Sequence, residues 1–199
     1  MSAYQNFLDF FSMRNKERLD GLSESYFTPM TREERGMAFE FLLKRVEQGG
    51  TEESVNGLFR ADERRAIEPI KRLLASGVLN GEAQIAAAWN LYRIERDPGL
   101  LSIFVRFMSD PDTELREKAA YYVPSDQLTS ELKSALQGMI RTETDQTASI
   151  NAVNKLLACY EVTRESVDKE TFSSFYRGLR IDDPAMKEQT FKRLDSLYD

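Results

Sequence analysis

The sequence predicts an all-α fold built from paired helices, and three observations predict it. Strand signals are nearly missing: no long alternation of apolar and polar residues occurs, and Asn56-Gly57 and Asn80-Gly81 lie inside or between helical patterns rather than between β-branched runs. Apolar residues recur at helical spacing along the chain. One pattern also repeats: a helix-capping residue, an apolar residue three on, a small or apolar pair at seven and eight, and an apolar residue at eleven.

Near the N-terminus, Tyr4, Phe7, Leu8 and Phe11 keep helical spacing. Asp9 breaks the apolar run and no basic start precedes it, so the segment does not read as a signal peptide. Thr31-Arg32-Glu33-Glu34 is a capping box. It opens a weaker copy of the pattern, with polar Glu34 at position three, then Ala38-Phe39 and Leu42. Gln48-Gly49-Gly50 ends that helix, and a short extra helix over 51–59 is expected after it. Four further copies follow: Asn80, Ala83, Ala87-Ala88, Leu91; Asp112, Leu115, Ala119-Ala120, Val123; Asp145, Ala148, Ala152-Val153, Leu156; and Asp183, Met186, Thr190-Phe191, Leu194. Each is preceded by another apolar-periodic stretch, over 63–75, 99–108, 127–140 and 165–179. Breakers divide the partners: Ser76-Gly77, Asp110-Pro111, Arg141 to Thr144, and Asp182-Asp183-Pro184. The last four caps are 32, 33 and 38 residues apart. Thr, Asn and Asp at such positions accept hydrogen bonds from the free N–H groups of a first helical turn. Positions three, seven, eight and eleven then share one helix face. Helix pairs at this period cannot bury their faces alone and stack on one another. The expectation is one domain over 1–199, with capping helices over 1–60 and repeats over 61–199.

Asp112-Thr113-Glu114-Leu115-Arg116-Glu117-Lys118-Ala119-Ala120-Tyr121-Tyr122-Val123, following Asp110-Pro111, resembles the second helix of a HEAT repeat. Asp112, Leu115, Arg116, Ala119, Ala120 and Val123 carry the resemblance. The other copies are degenerate, with Arg35, Gln84, Ser149 and Lys187 at the arginine position. The resemblance implies a HEAT-like α-α superhelix, a right-handed solenoid of about five helix pairs. Phe7, Phe10, Phe11 and Phe27 are expected to seal its N-terminal end, and Phe172, Phe175, Tyr176 and Phe191 to fill the terminal repeat.

Composition closes several function classes. The chain has 199 residues, a net charge of −6, one cysteine and no histidine. Ser-His-Asp and Cys-His catalysis and His-ligated zinc are excluded by the missing histidine, and thiolate metal sites by the single cysteine. No Asp-x-Asp-x-Asp-Gly loop is present, and no cofactor or metal is expected. Cys159 lies in an apolar helical stretch and reads as a small buried hydrophobe. No disulfide can form within the chain and no apolar run approaches a membrane span, so a cytoplasmic protein is expected. The acidic balance favours a cationic partner over nucleic acid.

In HEAT-like proteins the second helices line the concave face. Positions two, five and nine after each cap lie opposite the buried stripe, by 100° per residue. They place Glu82 and Glu114 at position two, Ile85, Glu117 and Ile150 at five, and Trp89, Tyr121 and Asn154 at nine. These eight residues are the candidate partner-binding set. Aromatic anchors with a charged rim suit a protein partner with a basic surface. The same spacing also admits Trp89 and Tyr121 as core packing. Asp62-Glu63-Arg64-Arg65 and Lys187-Glu188 read as solvated faces with i,i+4 pairing, and Asp110 and Asp112 as turn and cap residues.

The expected function is therefore a non-catalytic protein-binding module. Small acidic helical proteins of this kind include bacterial immunity proteins that neutralise a toxin. The alternatives are a HEAT-like DNA glycosylase, which the missing basic groove disfavours, and a structural scaffold subunit.

Overall fold

The structure is a computed structural model that describes residues 2–13 and 21–197. All regular secondary structure among the described residues is helical. None of these helices is long and apolar enough to cross a membrane. The chain divides into two compact units, Met1–Arg96 and Asp97–Asp199. The division expected at residue 60 falls inside the first.

The first unit holds α1 (Ala3–Phe10), a 3-10 turn (Glu24–Tyr26), α2 (Arg32–Val46), α3 (Glu52–Ala61), α4 (Glu63–Ser76) and α5 (Gly81–Glu95). Glu34 joins the first two helices. Its carboxylate closes the Thr31 capping box at 2.9 Å and also accepts the Tyr4 N–H of α1 at 3.3 Å. Phe7, Phe10 and Phe27 are fully buried, and Phe7 meets Phe27 and Phe41 at 5.6 Å. The aromatic seal therefore forms, with Phe41 added to it.

The short helix α3 packs on α2, α4 and α5. Sequence spacing makes α3 an extra and α2 the copy in register with α5. Yet it is α3, capped by Thr51, that packs along α5. Buried Asn90 of α5 fixes this pairing by donating to Asn56 of α3 at 2.7 Å. Asn80 differs from the other caps, because its side chain does not cap α5. It donates to Gly50 O at 3.0 Å, and its backbone N–H donates to Gly49 O at 2.8 Å, which ties the start of α5 to the turn after α2. Gly49 and Gly50 hold φ of 107° and 66°, where a side chain would be strained.

The second unit holds a 3-10 turn (Pro98–Leu100), α6 (Leu101–Phe107), α7 (Thr113–Tyr122), α8 (Ser130–Thr142), α9 (Gln146–Cys159), α10 (Lys169–Arg180) and α11 (Pro184–Asp195). Two starts come later than the periodicity suggests. Thr129 caps α8, and Asp168 caps α10 by accepting from both Glu170 and Thr171 backbone N–H groups at 2.9 Å. Consecutive helices pair as α6–α7, α8–α9 and α10–α11. The first two pairs stack like on like, α6 on α8 and α7 on α9. The third pair is reversed: α10 packs on α9, and α11 packs on α8.

The reversal has visible causes. Arg141 of α8 grips Glu188 of α11 through two hydrogen bonds of 2.6 and 3.1 Å. Lys187 donates to Ile140 O, a free carbonyl at the end of α8, at 2.8 Å. Lys133 donates to Asp195 at 2.6 Å. Glu188 is exposed, as expected of a solvated face, but it pairs with Arg141 of another helix rather than with an i,i+4 neighbour, and Lys187 is half-buried. Asp62, Glu63, Arg64 and Arg65 are all exposed as expected, while Asp62 also caps α4 and Arg65 lies 4.1 Å over the Phe39 ring and pairs with Glu40 of α2. The second unit therefore has one layer of α7, α9 and α10 and another of α6, α8 and α11.

Candidate functional site

Tyr121 is placed by the start and stop of α7. Asp110 Oδ1 accepts the Asp112 N–H, and Asp112 Oδ1 accepts the Glu114 N–H, both at 2.9 Å. The turn and cap roles expected of these two acids are those observed. Pro124 stops the helix by forcing Val123 into an extended conformation, with ψ of 133°. Between these ends Ala119 and Ala120 are fully buried, as are Ala148, Ala152 and Val153 on α9. Small side chains on the facing stripes let the two helices approach closely.

That inward stripe turns the candidate residues outward. Tyr121 is 61% exposed, the most exposed large hydrophobic side chain among the described residues. Its ring meets Tyr122 edge-on at 5.0 Å, which holds it in place. Glu114 and Asn154 are exposed, and Glu117 and Ile150 are half-buried. Asn151 of α9 reaches Glu117 O at 3.5 Å, a long bond across the two helices. Half-buried Lys155 follows on α9, with its ammonium pKa pulled below the ordinary 10.5 by desolvation. The packing of α7 on α9 thus gathers Glu114, Glu117, Tyr121, Ile150 and Asn154 on neighbouring helices of one layer.

Glu82, Ile85 and Trp89 lie on α5 of the first unit. Ile85 is not a surface residue: it is fully buried. The run Ile85-Ala86-Ala87-Ala88 makes α5 apolar on nearly every side, and a helix of that kind is enclosed all round rather than on one stripe. Trp89 and Glu82 are half-buried.

Comparison with protein-family models, with curated proteins and with solved structures finds no match to this chain.

Two clefts of the second unit were not anticipated from the sequence. One, of about 670 Å³, is lined by Lys133, Cys159, Tyr160 and Asp195 together with residues of the 125–130 segment. Lys133 and the Tyr160 hydroxyl both donate to Asp195 Oδ1. Burial tends to raise the Asp195 pKa, but these two donors outweigh it and hold the carboxyl below its ordinary value. Burial, and then the bond to Asp195, push the Tyr160 phenol up to about 12. Burial pushes the Cys159 thiol up to about 11, so it stays protonated near neutral pH and packs as the expected small hydrophobe. The polar groups here answer one another and fasten α8, α9 and α11 together. No cluster of carboxylate or thiol groups among the described residues is arranged to hold a metal ion.

The other cleft, of about 460 Å³, lies along α10. Phe172 and Tyr176, expected in the terminal core, line it half-buried, whereas Phe175 and Phe191 are core as expected. The signal was in the sequence: Lys169, Ser173 and Arg177 share a helical face with those two rings.

Proposed function

We propose that the chain is a HEAT-like helical-repeat module, non-catalytic, that holds a protein partner on the outer face of α7 and α9. The observation that carries this is the exposure of Tyr121, 61%, on a helix whose opposite face is fully buried alanine. A large ring held in place against its neighbour yet open to solvent loses little conformational entropy on binding, which is what a hot-spot anchor requires. Glu114 and Glu117 beside it give the face an acidic rim. On a chain of net charge −6, that rim suits a basic partner surface. A basic nuclease toxin held by its immunity protein is one instance of such a pairing.

The test is retention of a purified or co-expressed partner on the immobilised chain, compared across variants. Tyr121→Ala should lower affinity at least tenfold, and Glu114→Lys with Glu117→Lys should slow association most at low salt. Circular dichroism spectra of the variants should match the parent. A partner bound equally by all of them would defeat the proposal.

A further inference from the structure

We infer that the cleft along α10 is a docking site for an extended acidic peptide segment of a partner protein, with carboxylates on either side of a central aromatic residue. The site lies on a different helix from the α7–α9 face and does not depend on it.

The cleft is lined by Arg164, Lys169, Phe172, Ser173, Tyr176 and Arg177. Phe172 and Tyr176, one turn apart, stack with centroids 5.7 Å apart and planes 24° apart. Arg164, from the segment before α10, sits over the Phe172 ring at 5.3 Å. Among the described residues, none of Arg164, Lys169 and Arg177 has a salt-bridge partner. The nearby acid Asp168 forms no ion pair with them; its carboxylate accepts two backbone N–H groups and the Thr171 hydroxyl. Three cations without an ion pair thus line one half-buried ring pair on a chain of net charge −6.

The spacing selects the occupant. Lys169 and Arg177 are two helical turns apart, about 12 Å along the axis, with the rings between them. A ligand that uses both cations carries negative charge at both ends and an apolar or planar group at its centre. An extended chain rises about 3.3 Å per residue, so about four residues span the gap. In an extended chain, side chains at i, i+2 and i+4 point to the same side. The matching pattern is Asp/Glu-x-Phe/Tyr/Trp-x-Asp/Glu, with the ring placed on Phe172 and Tyr176 and the carboxylates on Lys169 and Arg177. A long polyanion is disfavoured on a chain of net charge −6, since it needs a continuous basic track.

The test is fluorescence anisotropy with the full chain and a labelled nine-residue peptide carrying Asp-Ser-Phe-Ser-Asp. The expected result is saturable binding that weakens at least tenfold in Lys169→Glu, Arg177→Glu and Tyr176→Ala, and also when salt is raised. A peptide with Lys in place of both Asp residues should not bind, a control that leaves the protein untouched. Arg72→Glu, on the other unit, should bind like the parent, and thermal melts check that each variant is folded. The inference would be overturned by no binding of the acidic peptide, equal binding of the lysine peptide, tighter binding of a single-stranded oligonucleotide than of the peptide, or binding undiminished in all three variants. Self-association seen by light scattering and abolished by Arg177→Glu would equally overturn it, by assigning the cleft to a second copy of the chain.

Discussion

Glu143 joins two turns of the second unit. It accepts two hydrogen bonds from Arg116, at 2.6 and 3.0 Å, and the Asp145 N–H at 3.0 Å. Arg116 also donates to Asp110 O and Pro111 O at 2.9 and 3.0 Å. One ion pair thus ties the turn before α7 to the turn before α9. The Glu143 side chain is only 3% exposed, so Glu143→Gln should cost about 2–3 kcal/mol in chemical denaturation. The Arg116 bonds, against opposing desolvation, hold the Glu143 carboxyl below its ordinary 4.5. A carboxyl lowered on folding stabilises the fold above its unfolded pKa and loses that contribution as pH falls through the folded value. The melting-temperature gap between the parent and Glu143→Gln should therefore be full near neutral pH and shrink below about pH 4.5. A gap that held constant into acid would show the pair to be unimportant. Ile85 gives a second residue-scale check. Its full burial means that Ile85→Ala should cost about 2–4 kcal/mol, whereas a solvent-facing isoleucine would cost almost nothing.

At the scale of elements, α10 and α11 approach so closely that a Cβ at Gly178 would collide with Thr190 Oγ1. Gly178→Ala should destabilise by about 1–3 kcal/mol, and by much less in a Thr190→Ala background. Equal costs in the two backgrounds would mean that the helices do not meet there. Helix existence was legible in the sequence because the caps Thr31, Asp112, Asp145 and Asp183 each accept from a first-turn N–H, as such residues do. The role of α3 was not, because Ser54 and Asp62 stand where the repeated pattern has apolar residues after the Thr51 cap. The outward placement of Glu114, Tyr121 and Asn154 followed from the buried alanine stripe, since a helix with one packed face leaves its opposite face open. Ile85 failed the same inference because α5 is packed on more than one side. Periodicity reports which face is apolar but not how many neighbours a helix has.

For the whole molecule, the informative feature is the reversal of the last helix pair within the second unit. A uniform repeat would set α10 on α8 and α11 on α9. The order seen sets α10 on α9 and α11 on α8. Nothing in the repeat pattern foretells it, because the deciding groups are polar: Arg141 with Glu188, Lys187 with Ile140 O, and Lys133 with Asp195. The reversal puts α10 in one layer with α7 and α9. That layer carries both the Tyr121 face and the cleft along α10, so the two proposed docking surfaces lie on different helices of one layer.

The most direct measurement is cysteine cross-linking with a short bismaleimide in a Cys159→Ser background. Arg141→Cys with Glu188→Cys, joining α8 to α11, should link rapidly within one molecule, while Asn154→Cys with Glu188→Cys, which a uniform stack would bring together, should not. Linkage of residues 154 and 188 with none between 141 and 188 would contradict the layer of α7, α9 and α10.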